Sequence, residues 1–169
     1  MERTLSSVQE NRLTLAEMVR RYYADVFRFC SRELGAQLAE DATQETFMIA
    51  AQRYGSFRGD SSEKTWLFGI AINIIRNYRR RARTLPLVDW EYAESASTGN
   101  VEDRLISAQA LRKALAELSP QHREVVLLHE VEGLTYEECA QALRIPVGTV
   151  KSRLYYAFKA LRELLKEEI

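Results

Sequence analysis

Lys151, Ser152 and Arg153, followed at once by Tyr155 and Tyr156, put positive charge, hydrogen-bond donors and two aromatic rings into less than two helical turns. Such a surface can meet base edges and phosphates in a DNA major groove. A second cluster has the opposite sign. Asp41, Gln44, Glu45, Met48 and Gln52 fall at i, i+3, i+4, i+7 and i+11, on one face of a helix. Paired carboxylates can serve acid–base or metal chemistry. Here no histidine, glycine-rich pocket or third acidic cluster accompanies them, which argues against catalysis. A solvated face and a docking face for a basic partner are the two readings left. In a third set, the loop SFRGDSSE leads into Trp66, Asn73, Asn77 and Arg80, close together on one helix. Aromatic rings stack on unpaired bases, Asn bonds base edges and arginines follow a backbone. The plainer readings are a tryptophan that anchors a core and arginines that offset a helix dipole.

These residues need elements to hold them. LTYEECAQALRIPVGTVKSRLYY, 134–156, predicts two short helices and a tight turn. Thr135 is a good N-cap, and Glu138 three residues on completes a capping box. Pro146 stops the first helix and suits the first turn of the second. Val150, Leu154, Ala157, Phe158, Leu161 and Leu165 form the apolar stripe of that second helix. The alternative is an ordinary helical hairpin. The capping box, the small Ala140 near the crossing and the basic second helix favour a DNA-binding helix-turn-helix. Upstream, periodicity predicts helices over 13–34, 38–54 and 64–83, with residues 1 to about 12 as a disordered lead-in. The expected fold is all-α: a helical domain over 13–84, a flexible acidic linker over 85–103, and a second helical domain over 104–169. Ser119-Pro120 is a cap followed by proline at the first helical position, and Gly133 ends that helix.

Formal net charge is zero, which by itself speaks against nucleic acid, but the charge is segregated along the chain. Lys64, Arg76, Arg79, Arg80, Arg81 and Arg83 lie in a stretch with no acid, as do Arg144, Lys151, Arg153, Lys159 and Arg162. Glu33, Glu40, Asp41 and Glu45 form one acidic run, and Asp89, Glu91, Glu94, Glu102 and Asp103 another. Two basic surfaces can neutralise phosphate while the acidic stretches face something else. Cys30 and Cys139 both sit in apolar helical patterns and are expected as buried reduced thiols. No metal site or cofactor is expected. The N-terminal stretch is polar, without a signal-peptide core, and no long apolar run occurs, so a cytoplasmic location without membrane insertion is expected.

Together, DATQETF (41–47), FRG…TWLFGIAIN…RR (57–80), LSPQHREVVLLHEVEGLTYEECA (118–140) and IPVGTVKSRLYYA (145–157) resemble an RNA polymerase sigma factor of the extracytoplasmic-function type in the sigma-70 family. The resemblance implies promoter-specific transcription initiation rather than an enzyme. It implies that Asp41, Gln44, Glu45 and Met48 bind core RNA polymerase on its clamp helices. Phe57, Arg58, Ser61, Ser62, Lys64, Trp66, Asn73, Arg76, Asn77 and Arg80 would then contact the −10 element, where a base is flipped from the non-template strand; Arg79 is a further candidate for backbone contact. Thr149, Lys151, Ser152, Arg153, Tyr155 and Tyr156 would contact the −35 element, and the second domain would meet the polymerase flap tip. An anti-sigma factor is implied as regulator, and no obligate homo-oligomer. Arg144 stands where the family often has glycine, so a left-handed backbone there would be costly. Tyr156 replaces a commonly basic residue. A free-standing dimeric helix-turn-helix regulator is the alternative function.

Overall fold

The computed structural model describes residues 12–82 and 101–167, and every regular element among them is helical. The expected lead-in over 1–11 and most of the expected linker, 83–100, lie outside the described residues. The chain divides into two compact units.

In the first unit, Thr14 opens α1, Leu15–Leu34. Its hydroxyl accepts from the Glu17 N–H at 3.3 Å, while the Glu17 carboxylate accepts from the Thr14 N–H at 2.7 Å. This second capping box escaped the sequence reading, which started the helix at 13. Gly35 alone joins α1 to α2, Ala36–Arg53, with φ 80 and ψ 163, a backbone region that suits glycine. A 3₁₀ turn, Tyr54–Ser56, ends α2, and α3, Glu63–Ala82, follows the loop. The three helices pack on one another. Met18, Val26, Phe29, Cys30 and Leu34 meet Ala39, Ala42, Phe47 and Ala50, together with Leu67, Phe68, Ile70, Ile74 and Ile75, all buried. Phe29 and Phe68 meet edge to face at 5.1 Å. The buried hydroxyls of Thr43 and Thr46 donate to the carbonyls of Ala39 and Ala42 one turn back. Glu33 and Arg79 form an ion pair between α1 and α3, with side chains 0% and 16% exposed. Both depart from the sequence reading, which placed Glu33 in an acidic run and Arg79 against DNA.

In the second unit, α4 is Val101–Glu117, beginning ahead of the expected Arg104. Ser119 caps α5, Pro120–Val126, and accepts from the His122 N–H at 3.3 Å. The helix continues as a wider π turn, Leu127–Val131, in which Glu132 N–H donates to Leu127 O at 3.0 Å. Gly133, with φ 73, turns the chain out of it. α6 is Tyr136–Leu143 and α7 is Val147–Glu167. Val125, Leu127, Leu128, Leu134, Cys139, Val150, Leu154, Ala157 and Leu161 supply the buried core. Phe158, placed in the apolar stripe of the last helix, is 41% exposed, and Leu111 (44%) and Val131 (46%) are exposed too. They lie at the margins of their stripes, where periodicity cannot separate core from surface. Both cysteines are buried free thiols; burial pushes Cys30 up to about 11 and Cys139 up to about 12, so neither is a thiolate at neutral pH.

Arg144 has φ 55, the left-handed conformation, and is the one non-glycine residue in that region among those described. The Ile145 N–H reaches back to Ala140 O at 3.1 Å, closing the end of α6 as a Schellman motif. This turn prefers glycine. We expect Arg144→Gly to stabilise the second unit by about 1 kcal/mol, because the left-handed strain on a side-chain-bearing residue disappears. Thermal unfolding of the full chain measures it; an unchanged or lowered melting temperature would contradict the strain.

Candidate nucleic-acid interface

Thr135 and Glu138 set the start of the helix-turn-helix as the sequence requires. Thr135 N–H donates to the Glu138 carboxylate at 2.8 Å, and Glu138 N–H donates to the Thr135 hydroxyl at 3.2 Å. After the Arg144 turn, the Pro146 carbonyl accepts from Thr149 N–H at 3.0 Å and Val150 N–H at 3.2 Å, which launches α7. Val150, Leu154, Ala157 and Leu161 turn inward. Lys151, Ser152, Tyr155 and Tyr156 then fall on the opposite face, and all four are exposed. Tyr155 and Tyr156 are 66% and 56% exposed and meet edge to face at 5.3 Å, so the two rings brace each other. Ser152 donates to Thr149 O at 3.1 Å. Arg153 and Thr149 are half-buried at the edges of the face. A helix with this face outward has the geometry to enter a major groove.

Tyr136, at the start of α6, is 38% exposed. It stacks on His129 at 4.7 Å, and the Lys151 ammonium lies 5.6 Å from its ring centroid. His129 Nδ1 lies 2.7 Å from Leu134 O, a carbonyl that can only accept, so Nδ1 carries the proton. The start of α6 thereby supports the first basic residue of α7. Sequence reasoning missed this link because the π turn that aims His129 has no sequence signature.

In the first unit the −10 candidates divide between the segment before α3 (Phe57, Arg58, Ser61 and Ser62) and α3 itself (Lys64, Trp66, Asn73, Arg76, Asn77 and Arg80). Phe57 and Trp66 stack at 4.6 Å with 24° between planes, and both are half-buried. Asn73, Asn77 and Arg80 are exposed, and Arg80 donates to Asn77 Oδ1 at 2.6 Å. Trp66 to Arg80 is about 21 Å of helix, close to the length of six B-form steps along one strand. Arg76 and Lys64 are half-buried, the Lys64 ammonium 5.7 Å from the Phe68 ring centroid, and Arg58 is exposed. The serines divide. Ser62 Oγ accepts from Thr65 N–H at 3.1 Å, so its hydroxyl caps α3. Ser61 bonds only along the loop, to Ser62 O at 3.3 Å.

On α2, Asp41, Gln44 and Met48 are exposed, Met48 at 62%, and Glu45 is half-buried. Tyr78 of α3 lies close enough to Glu45 and Asp41 to feel both carboxylates. Burial first, then the Glu45 and Asp41 carboxylates, raise the Tyr78 phenol above its usual range, while Arg81 opposes them. Tyr78 is half-buried on α3, and a tyrosine there brings a hydroxyl that needs a partner. Among the described residues no cluster of His, Cys, Asp or Glu is arranged to hold a metal ion.

Residues 18–84 match Sigma-70 region 2, and residues 108–161 match Sigma-70, region 4. The ECF RNA polymerase sigma-E factor of Escherichia coli (strain K12) is 33% identical over 157 residues, covering 85% of this chain and 82% of that protein. The RNA polymerase sigma-H factor of Pseudomonas aeruginosa (strain PAO1) is 35% identical over 151 residues, covering 78% of this chain and 77% of that protein. Among solved structures, the sigma factor RpoE in complex with the anti-sigma factor NepR from Bartonella quintana superposes with a TM-score of 0.75 at 30% identity, over 88% of this chain and 94% of that one. CnrH in complex with the cytosolic domain of CnrY gives 0.68 at 25% identity, over 92% and 89%. The chain belongs to the extracytoplasmic-function sigma factors of the sigma-70 family. Its function is to direct RNA polymerase to promoters, and the free-standing dimeric regulator is not favoured.

Proposed function

We propose a division of labour among three surfaces. Asp41, Gln44, Glu45 and Met48 dock on the clamp helices of core polymerase. The 57–66 segment and the outward strip Asn73, Arg76, Asn77 and Arg80 take the non-template strand of the −10 element. Thr149, Lys151, Ser152, Arg153, Tyr155 and Tyr156 read the −35 element, while the rest of the second domain meets the flap tip. Domains over 13–84 and 104–169, tethered by 85–103, engage in turn; once one is bound, the tether raises the effective concentration of the other. The chain acts in the cytoplasm as a dissociable subunit and catalyses nothing itself. An anti-sigma factor that covers the polymerase-binding faces is the regulator this reading calls for; the similar RpoE is held by one.

One observation carries the −35 assignment: Lys151, Ser152, Tyr155 and Tyr156 are exposed together, opposite the buried stripe of α7. Holoenzyme binding to a mapped promoter tests it. We expect Lys151→Ala/Ser152→Ala to weaken binding about tenfold or more and to relax preference at the −35 positions it faces. Gly148, on the same exposed side, adds a sharper test. A Cβ there would meet nothing within 4 Å, so the protein itself has no steric need for glycine at a helical position. Gly148→Ala should raise stability by about 0.5–1 kcal/mol and still weaken promoter binding if this face packs closely on DNA as the −35 reading requires. Unaltered promoter choice in the double variant and unaltered affinity in Gly148→Ala would remove the −35 assignment.

A further inference from the structure

The stretch up to about residue 12 was expected as a featureless lead-in, yet Arg12 is built into the first unit. Its guanidinium lies 4.0 Å from the ring centroid of Tyr54 and 5.0 Å from that of Phe57. Its Nη2 donates to the Tyr54 carbonyl, and its Nε is shielded from solvent. A return link runs the other way: the Tyr54 hydroxyl donates to Leu13 O at 2.7 Å. The same Tyr54 carbonyl also accepts the Phe57 N–H at 3.3 Å. Arg12 therefore holds the acceptor that fixes the Phe57 backbone, and it lies over the Phe57 ring as well. Phe57 in turn stacks on Trp66 at 4.6 Å. The order is guanidinium, phenyl, indole, with the last two in the segment assigned above to the −10 strand. A cation at this point also suits the carbonyl end of α2.

We propose that Arg12 is a positioning residue for base selection in the −10 element. It sets the pose of the Phe57–Trp66 pair from outside the segment that carries them. The proposal rests on the −10 reading of that segment. Without Arg12 the 3₁₀ turn loses a charge-assisted hydrogen bond and Phe57 loses a cation–π contact, so the ring can leave Trp66. A pocket for an extruded base then accepts several bases alike, since selection depends on walls that do not move. Core polymerase binding is little affected, because the proposed docking residues, Met48 to Asp41, lie about 9 to 20 Å back along α2 from Tyr54.

The test uses holoenzyme assembled from the full chain and core polymerase. The probes are fluorescent single-stranded non-template oligonucleotides covering the −10 element of a promoter mapped by run-off transcription, in native form and with each base replaced in turn. The readout is the ratio of native to substituted affinities. We expect Arg12→Ala to lower that ratio about tenfold at the positions where Phe57→Ala lowers it. Arg12→Lys, which keeps a cation over the rings, should restore most of it. Tyr54→Phe, which removes only the bond to Leu13, should lower it less. Affinity for core should stay within about twofold in all three. A uniform loss of oligonucleotide affinity at constant ratio would make Arg12 a phosphate contact and overturn the proposal. An unchanged ratio in Arg12→Ala, with Phe57→Ala defective, would overturn it while leaving the −10 assignment standing. An unchanged ratio in Phe57→Ala itself would remove that assignment and this proposal with it.

Discussion

We expect Asp41→Ala/Glu45→Ala to lower affinity for core RNA polymerase by about 100-fold and to shift the stability of the chain by no more than about 1 kcal/mol. Asp41 is exposed, so its removal costs the fold little. Glu45 is half-buried, so its removal costs somewhat more. Binding suffers more. Charges that are buried against a basic partner cost several-fold each when one side is truncated, because the other side is left desolvated and unpaired. Met48, on the same face and 62% exposed, gives the patch an apolar anchor that salt does not screen. Affinity of wild-type chain should therefore fall with ionic strength but not vanish, whereas the double variant should bind weakly and with a flatter salt dependence. Fluorescence anisotropy of the labelled chain with core polymerase, at low and physiological salt, measures both. Equal affinities for variant and wild type would move the docking surface elsewhere.

The second large effect is on stability. Arg79→Met removes the α3 side of the ion pair with Glu33, whose side chain is 0% exposed. Stranding one member of a buried pair costs about 3–5 kcal/mol. For a domain of this size that is close to the entire folding free energy. Glu33→Leu should cost less, since the Arg79 side chain is already 16% exposed and its long stem can carry the charge to water. Glu33→Leu/Arg79→Met removes both charges together and should recover most of the loss, as buried pairs replaced by apolar side chains often do. Urea denaturation of the full chain followed by tryptophan fluorescence reads this out, with the Arg79→Met midpoint lower by about 2 M. Additive losses in the double variant would show that the two residues do not act as a pair.

What the sequence revealed was mostly local. The Thr135–Glu138 box, the Ser119-Pro120 start, the Pro146 launch of α7 and the demand at Arg144 each involve residues a few positions apart. The short-range geometry that makes them work is also what makes them readable. Non-local features were harder. Glu33 lies three and seven residues after Cys30 and Val26, on the buried stripe of α1, and Arg79 lies four after Ile75 on that of α3. Opposite charges on two buried stripes were a legible sign of a pair, but charge runs along the chain drew attention to solvent and DNA instead. Ser62 shows a similar trade: a serine in a polar loop suggests a ligand, and its hydroxyl in fact caps α3. The π turn at Leu127–Val131 and the role of Arg12 have no local code at all; they follow from packing. Phe158 was expected inside because it is apolar, although folded proteins leave much apolar surface exposed, as Leu111 and Val131 also show.

Run-off transcription puts the whole account at risk in a single measurement. Purified full-length chain, free of any inhibitor, is mixed with bacterial core polymerase and fragmented genomic DNA from its host. We predict discrete transcripts that depend on the chain and disappear with Asp41→Ala/Glu45→Ala. Failure of the wild-type chain to associate with core polymerase, together with no transcript above that of core alone, would contradict the account.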